Sequence, residues 1–580
     1  MFILGFLSLL QVWFLPGLFV LSFSKKIKFI DAIILSLPLS LIVNYLLVII
    51  LVLLKKYDHY VILAIIILEI FIIGYNFSKN QNFKNVINNL ELFLKLQKIK
   101  NFKIDFFDVL ILFPFSLILF FGLDTIGDIL HIGDSIIQYN NWAMQWLDNK
   151  IANTGAYGEY PPGIPINMSM IYKIMNNNYV EYFSRAMFVL YPSWSIFYFY
   201  RAAHLFKDYK NLIKITCFIT LSIFLFIFRH MSMYAGLIEP VLFTLTVSAI
   251  FVMLLIYNNK DEINNFDLLI FGLIISSAAI AKQTGLYVTC IFPIMFIILF
   301  YKFYETKKLL SKTFYLSLPI LAPLLWFFYI LITRAGTDID DSYLINLIIS
   351  FNKTSFFEKI YGMFGLFFAP ALILLVFSFF NKISAITFFV LILPYLILYF
   401  KFFGYDNRHL TPIIPFLAIC VSFGFFEIFK KFKISRINFP RYFFTSLSIL
   451  IIISAVFYVS SHRKQDRLIS DTYEKKKVRG DIQINTLLYQ YIKNKKLRVK
   501  AMPDHLGFAF LPEIGDLFDN RVDCKGHFEK YLKEVNENHY LLINLDFCKR
   551  YYREFNLNLV YDNYKFEIFK LKNYIFLRRF

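Results

Sequence analysis

Phe29-Ile-Asp-Ala-Ile-Ile-Leu-Ser-Leu-Pro-Leu-Ser-Leu-Ile-Val-Asn-Tyr-Leu-Leu-Val-Ile-Ile-Leu-Val-Leu-Leu54 carries one charge, Asp31, in a run that is otherwise almost wholly apolar. About twenty such residues span the roughly 30 Å hydrocarbon core of a bilayer as one helix. Comparable runs lie near 2–23, 60–77, 106–123, 181–200, 212–229, 237–257, 266–281, 284–301, 313–333, 361–380, 384–402, 410–428 and 442–460. With 29–54 they make fourteen candidate spans. Two are weaker: 266–281 is short, and 181–200 carries Glu181 and Arg185. The first run has no basic stretch before it and no small-residue cleavage site after it, so it reads as a retained span.

The composition agrees. Of 580 residues, 58% are hydrophobic and 17% charged, against roughly a quarter charged in soluble domains. Gly 21, Pro 18 and Cys 5 exclude collagenous, low-complexity and disulfide-scaffold chains. The net charge of +20 fits Lys and Arg gathering in cytoplasmic loops, so no nucleic-acid partner is inferred. The basic loops are Lys25–Lys28, the 78–105 linker, Lys207–Lys214, Tyr301–Lys312 and Lys430–Arg441. All fall on one side if fourteen spans alternate. The other side receives the Asp-rich 124–180 loop and 334–360, with Asp338, Asp340 and Asp341. This places the N-terminus, the 124–180 loop and the C-terminal tail outside the cytoplasm. Arg463, Lys464, Arg467 and Lys475–Lys477 at the start of the tail run against that placement, but long domains translocate largely regardless of charge.

The expected architecture is an all-α polytopic membrane protein with a small extracytoplasmic α/β domain. Its parts are N-terminal spans and a basic linker (1–105), a transmembrane domain (106–460) and a soluble tail (461–580). In the tail, β-rich runs at Leu497–Ala501, Tyr540–Leu545, Phe566–Leu571 and Tyr574–Leu577 follow a helical stretch near 481–493. Cys524 and Cys548 lie there and can pair in an oxidising compartment. Cys217, Cys290 and Cys420 fall in spans and read as core. The chain has no Cys-x-x-Cys metal spacing, solenoid repeat or phosphate-cradling Gly-x-x-x-x-Gly-Lys loop.

Chemistry concentrates on the outer side. From Ile136, the positions Ile136, Tyr139, Ala143, Trp146 and Leu147 make one apolar helix face, with Gln138, Asn141, Gln145 and Asp148 opposite. Its Trp pair suits a helix lying flat at the membrane interface. Asp134 stands at the start of that helix, where it either caps it or acts as a base. Ser135 and Gln138 already form a capping box, which leaves the carboxylate available. Tyr160, Pro161 and Pro162 stiffen the loop behind it; His131 and Asp128 read as local hydrogen-bonding residues. Glu239 lies in an apolar context, as a buried acid paired with Arg or Lys or as a site residue. Arg229 either snorkels or binds. Lys282, in Ala281-Lys-Gln-Thr-Gly285, and Arg408 and His409, in the 403–412 loop, share the same face. They serve as interface anchors or, together, as a phosphate site.

The ordered set resembles the GT-C superfamily of membrane glycosyltransferases, in the style of its protein O-mannosyltransferase and lipid A aminoarabinose transferase branch. An acidic residue in a long external loop precedes an interfacial helix and Tyr-Pro-Pro. Ala281-Lys-Gln-Thr-Gly285 resembles that superfamily's Thr-Lys-x-x-Gly-like element. Asn407-Arg-His-Leu-Thr-Pro-Ile-Ile-Pro-Phe416 resembles its Arg-Tyr-Leu-x-Pro-x-x-Pro segment. Departures are three additional spans ahead of the acidic loop and Asp134-Ser135 where the branch often has Asp-Glu. There is no Trp-Trp-Asp tripeptide of the oligosaccharyltransferases. The resemblance implies inverting transfer of a sugar from a polyprenyl-phosphate carrier to a glycan, lipid or protein acceptor at the outer face of a bacterial inner membrane. Asp134 would be the base with Glu239 beside it, and Arg408, His409, Lys282 and Arg229 would hold the donor phosphate. No cofactor is required, and a divalent metal (Mg or Mn) bridging Asp134 and Glu239 ranks below metal-free chemistry. The rival readings are a transporter or flippase of a lipid-linked glycan, and a polymerase or ligase using a polyprenyl-diphosphate donor.

Overall fold

The computed structural model describes residues 2–24, 26–79, 104–124, 139–149, 151, 160–176, 182–228, 237–334, 368–403 and 407–431, three positions between 446 and 453, and four strands within 498–579. The chain divides into two compact units. The first is Met1–Ile129 with Glu159–Ser460; the second is Leu130–Gly158 with Ser461–Phe580. The spans before residue 106 therefore belong to the same body as those after it.

The first unit is helical. Among the described residues, nine helices are long and apolar enough to cross a membrane, or ten when the pair Phe2–Trp13 and Leu15–Leu21 counts as one span. This is the architecture of a multi-pass membrane protein. That pair bends by 43° where Pro16, near the start of the second helix, has no N–H to continue the ladder. Asn265–Ala281 is apolar but short, at 17 residues. The run at 181–200 is interrupted: Tyr182–Ala186 ends before Leu190–Leu205 begins, and Arg185 is buried. Most of 442–460 lies outside the described residues.

Glu239–Asn258 is the central helix, with 83% of its apolar window buried, whereas His59–Lys79 is peripheral, with 22%. Large side chains such as Tyr60, Ile67, Leu68 and Phe71 face outward from the peripheral helix, a surface suited to lipid rather than water. Cys217 and Cys420 are buried, but Cys290 is exposed on Gln283–Phe300. The core expectation fails for Cys290 because it falls on that helix's outward face.

The helix ends bordering the basic loops are tied together by ions. Arg201 donates to Asp31 through Nε at 2.5 Å and Nη2 at 2.9 Å. Lys214 reaches Asp105 at 2.7 Å and Asp108 at 2.5 Å, and the Tyr200 hydroxyl donates to Asp108 at 2.8 Å. The backbone amide of Asp108 donates to Asp105 Oδ1, and that of Asp105 to Asp108 Oδ2. This reciprocal cap satisfies donors at the start of Phe106–Asp124. Ser24 donates to Asp267 at 2.6 Å. Such contacts join the starts of the 29–53, 106–124 and 210–227 helices to the end of 190–205, and the start of 265–281 to the residues after 15–21, as alternating spans require.

In the second unit, helix Asn141–Leu147 has Trp142, Ala143, Met144 and Trp146 at no more than 2% exposure. This corrects the expectation of one greasy face lying on lipid: the tryptophans are enclosed by protein. Strands β1 (Arg498–Ala501), β2 (His539–Asn544), β3 (Phe566–Leu571) and β4 (Tyr574–Arg579) form one sheet in the order β1-β2-β4-β3. β1 and β2 are parallel; β2/β4 and β3/β4 are antiparallel. Only Lys572 and Asn573 separate β3 from β4, the length of a tight hairpin. Cys524, Cys548 and the 481–493 stretch lie outside the described residues.

Two measurements check these ties. Arg201→Ala strands a buried carboxylate and is expected to cost about 3–5 kcal/mol, read as a lowered thermal midpoint in detergent; Asp31→Asn in the same chain should recover most of it. Partial burial alone would raise the Asp105 carboxyl. The Lys214 hydrogen bond and charge, the Asp108 amide and the Lys210 charge outweigh this and hold it below the usual carboxylate range. Its contribution is thus fully present above the unfolded value of about 3.9 and is lost as pH falls through the lower folded value. A pH series of melting curves should show Asp105→Asn with a flatter acid limb.

Candidate functional site

Four distant segments converge at the end of the body opposite those ion ties. Glu239 opens the central helix, followed by Pro240, whose missing N–H is harmless in a first turn. Lys282 is the single extended residue (φ −153°, ψ 153°) between Asn265–Ala281 and Gln283–Phe300. That abrupt break directs its side chain to Glu239. Lys282 Nζ donates to Glu239 Oε1 at 2.5 Å, with both side chains 3% exposed. Arg408 and His409, on the 3-10 helix Asn407–Ile413, lie close enough to act electrostatically on Glu239. The Lys282 ammonium also stands 5.9 Å from the centre of the Tyr160 ring.

Close backbone approach makes this assembly possible. A Cβ on Gly285 would stand 1.9 Å from the Ala278 carbonyl oxygen, and one on Gly163 would stand 2.4 Å from that of Ile280. Gly285, the last residue of the Lys282 motif, thus lets one helix double back on another. Gly163 lets the helix behind Tyr160-Pro-Pro seat against the same break. Pro161 and Pro162 are buried, and Trp326 Nε1 donates to the Tyr160 carbonyl at 3.3 Å.

The irregular backbone before Arg408 has local causes. π-helical segments Thr387–Ile392 and Tyr399–Phe403 flank Leu393–Leu398, near whose start Pro394 removes a donor. The Tyr395 hydroxyl then donates to the His409 carbonyl. Thr411 Oγ1 donates to the Arg408 carbonyl at 2.5 Å. These bonds pin the short 3-10 turn carrying both basic residues. His409 is buried, while Arg408 is only partly so.

Of the residues singled out in the sequence, Tyr160, Pro161, Pro162, Glu239, Lys282, Arg408 and His409 are gathered here. Glu239, read either as an ion-paired acid or as a site residue, is ion-paired. Asp134, Asp128, His131 and Arg229 lie outside the described residues. Tyr395 and Trp326 had no sequence signal: each is one aromatic among many in an apolar run. Among the described residues, no three His, Cys, Asp or Glu side chains gather to hold a metal.

Among the described residues, Glu239 and Lys282 cancel one another, and the Arg408 guanidinium adds a planar fork of donors beside them. Such a fork matches carboxylate or phosphate oxygens in a bidentate way. Burial alone would lower the Lys282 ammonium, but the Glu239 carboxylate more than offsets this and raises it above the ordinary value. The lysine's contribution is therefore fully present below its unfolded value of about 10.4 and is lost as pH rises through the higher folded value.

Glu239→Gln or Lys282→Met alone should each cost about 3–5 kcal/mol by leaving a buried charge unpaired. The double variant should restore a monodisperse, folded protein by size-exclusion chromatography. No family model matches the chain, and no curated protein is found to be similar to it.

Proposed function

We propose that this protein is a glycosyltransferase that moves a sugar from a polyprenyl-phosphate carrier to a glycan, lipid or protein acceptor at the extracytoplasmic face of a bacterial inner membrane. The observation carrying this reading is the convergence of Tyr160, Glu239, Lys282, Arg408 and His409 at one end of the helical body. The carrier's tail lies among the spans and its phosphate rests against Arg408. The Glu239–Lys282 pair holds the walls in register. Asp134 is the base: the acceptor oxygen attacks the anomeric carbon, its proton passes to the Asp134 carboxylate, and the bond to the phosphate oxygen breaks. The leaving phosphate takes the electron pair, and the anomeric centre inverts.

The full reading has fourteen spans, with the 124–180 loop and a 461–580 α/β domain in the periplasm and Cys524 and Cys548 able to pair there. No cofactor is required, and a divalent metal (Mg or Mn) bridging Asp134 and Glu239 ranks below metal-free chemistry. A lipid-linked glycan transporter is the second reading, favoured by the bent 2–21 helix pair, since broken spans suit alternating access.

The test is incubation of the purified protein in lipid nanodiscs with labelled polyprenyl-phosphate sugars and mixed acceptors. Label should leave the lipid at a rate that Asp134→Asn lowers by about 10²–10⁴-fold. Arg408→Ala should raise the carrier concentration required by about tenfold or more, the worth of a charge-assisted bond. Label that moves between leaflets but never leaves the lipid would favour the transporter.

A further inference from the structure

A second polar cluster lies away from this site, in the depth of the N-terminal helices. The peripheral helix His59–Lys79 buries one stripe, Ile62, Ile66, Glu69 and Phe77, and turns Ile67, Leu68, Ile70 and Phe71 outward. Glu69 is ten residues from either end of that helix, about 15 Å at 1.5 Å per residue. It therefore sits near mid-bilayer, and it is only 5% exposed. Its carboxyl lies within hydrogen-bonding reach of the Gln11 amide.

From Gln11 an amide chain runs across three helices. Gln11 Nε2 donates to Asn44 Oδ1 at 3.3 Å, and Asn44 Nδ2 donates to Asn167 Oδ1 at 3.1 Å and to the Gln11 carbonyl at 3.3 Å. Asn167 Nδ2 donates to the carbonyls of Leu41 at 3.1 Å and Gly163 at 2.7 Å. A backbone carbonyl can only accept, so the far end fixes the direction of every amide in the chain. Asn167 must offer its nitrogen to Leu41 and Gly163, its oxygen then accepts from Asn44, and the Asn44 oxygen accepts from Gln11. At the near end two buried oxygens, Gln11 Oε1 and Glu69 Oε2, have no hydrogen-bond partner among the described residues. Both are acceptors if Glu69 is ionised. One added hydrogen supplies the missing donor.

Among the described residues, the surrounding charges do not supply a counter-ion at this depth. On the same helix, His59 and Tyr60 lie at one end and Tyr75 and Lys79 at the other. The helix packs on Leu15–Leu21, which has no titratable side chain, and on Gly163–Met175, which carries Tyr172 and Lys173. Lys173 stands over the Tyr57 ring at 4.9 Å, and its carbonyl contacts the His59 ring, so it belongs to the His59 end. Phe2–Trp13 has no titratable group, and Phe29–Leu53 offers the buried Tyr45 and Asp31, the latter paired with Arg201. A carboxylate in such a place costs a few kcal/mol.

We propose that Glu69 is an intramembrane proton-binding site, a carboxylic acid at neutral pH that shares its proton with Gln11 at the head of the Gln11–Asn44–Asn167 chain. Losing that proton would leave a buried carboxylate with no cation at its depth among the described residues. The chain ends on the carbonyl of Gly163, immediately after Tyr160-Pro-Pro. This inference does not rest on the glycosyltransferase reading.

The test is infrared spectroscopy of the full-length protein in nanodiscs, with and without sodium, alongside labelling by a lipid-soluble carbodiimide, which attacks protonated carboxyls. At neutral pH the wild-type spectrum should carry a protonated-carboxyl band that Glu69→Gln loses. The carbodiimide should label the peptide containing Glu69, and the label should fall to background in the variant. Glu69→Gln keeps the shape and the neutral state, so it should melt no lower than the wild type. Absence of the band from the wild type would overturn the proposal. Sodium that removes the band and blocks the label would also overturn it and make the cluster a cation site.

Discussion

A charge buried in a low-dielectric bundle must be paired or neutralised, and this constraint organises the whole helical body. Leaving one ion of a buried pair alone costs several kcal/mol, so each buried charge selects the helix that answers it. Glu239 at the head of the central helix is answered by Lys282 at the break between two others. Asp31 is answered by Arg201, and Asp105 and Asp108 by Lys214. The first pair lies at one end of the spans and the rest at the other. The apolar middle sets which segments cross; these ions set which crossings are neighbours.

The constraint also explains how a charged site persists in a greasy protein. Lys282 and Glu239 cancel one another, and their bond holds the break, the central helix and the Tyr160 loop at one place. Arg408 can then remain only partly buried on a turn pinned through its backbone by Thr411 and, one residue on, by Tyr395. Glu69 shows the other solution. With no cation at its depth among the described residues, a proton replaces the counter-ion.

Much of this was legible in the residues because hydrophobic runs and loop charge are local signals. The runs at 29–54, 237–257 and 284–301 coincide closely with helices Phe29–Leu53, Glu239–Asn258 and Gln283–Phe300. The order of Tyr160-Pro-Pro, Lys282 and Arg408 pointed to one face, and the structure gathers those residues. Partners were not legible: nothing near Glu239 in the chain indicates that Lys282, 43 residues on, answers it. Nor could helix breaks at 187–189 and near Pro394 be read from a hydropathy run, since they depend on single missing donors and on neighbouring turns. The 141–147 helix misled because aromatic residues suit a lipid interface and a protein interior equally well. Gln11, Asn44, Asn167 and Glu69 carry no sequence signal, because four polar residues dispersed over distant apolar runs meet only in three dimensions.

The central claim is that charged groups from distant segments meet at an end of the bundle that faces out of the cell. Site-directed thiol labelling in intact cells tests it most directly, in a chain whose natural cysteines are replaced. A membrane-impermeant maleimide should modify Arg408→Cys from outside, and should modify Lys210→Cys, at the opposite end, only after the membrane is permeabilised. Labelling of Lys210→Cys in intact cells, with Arg408→Cys protected until permeabilisation, would contradict the account.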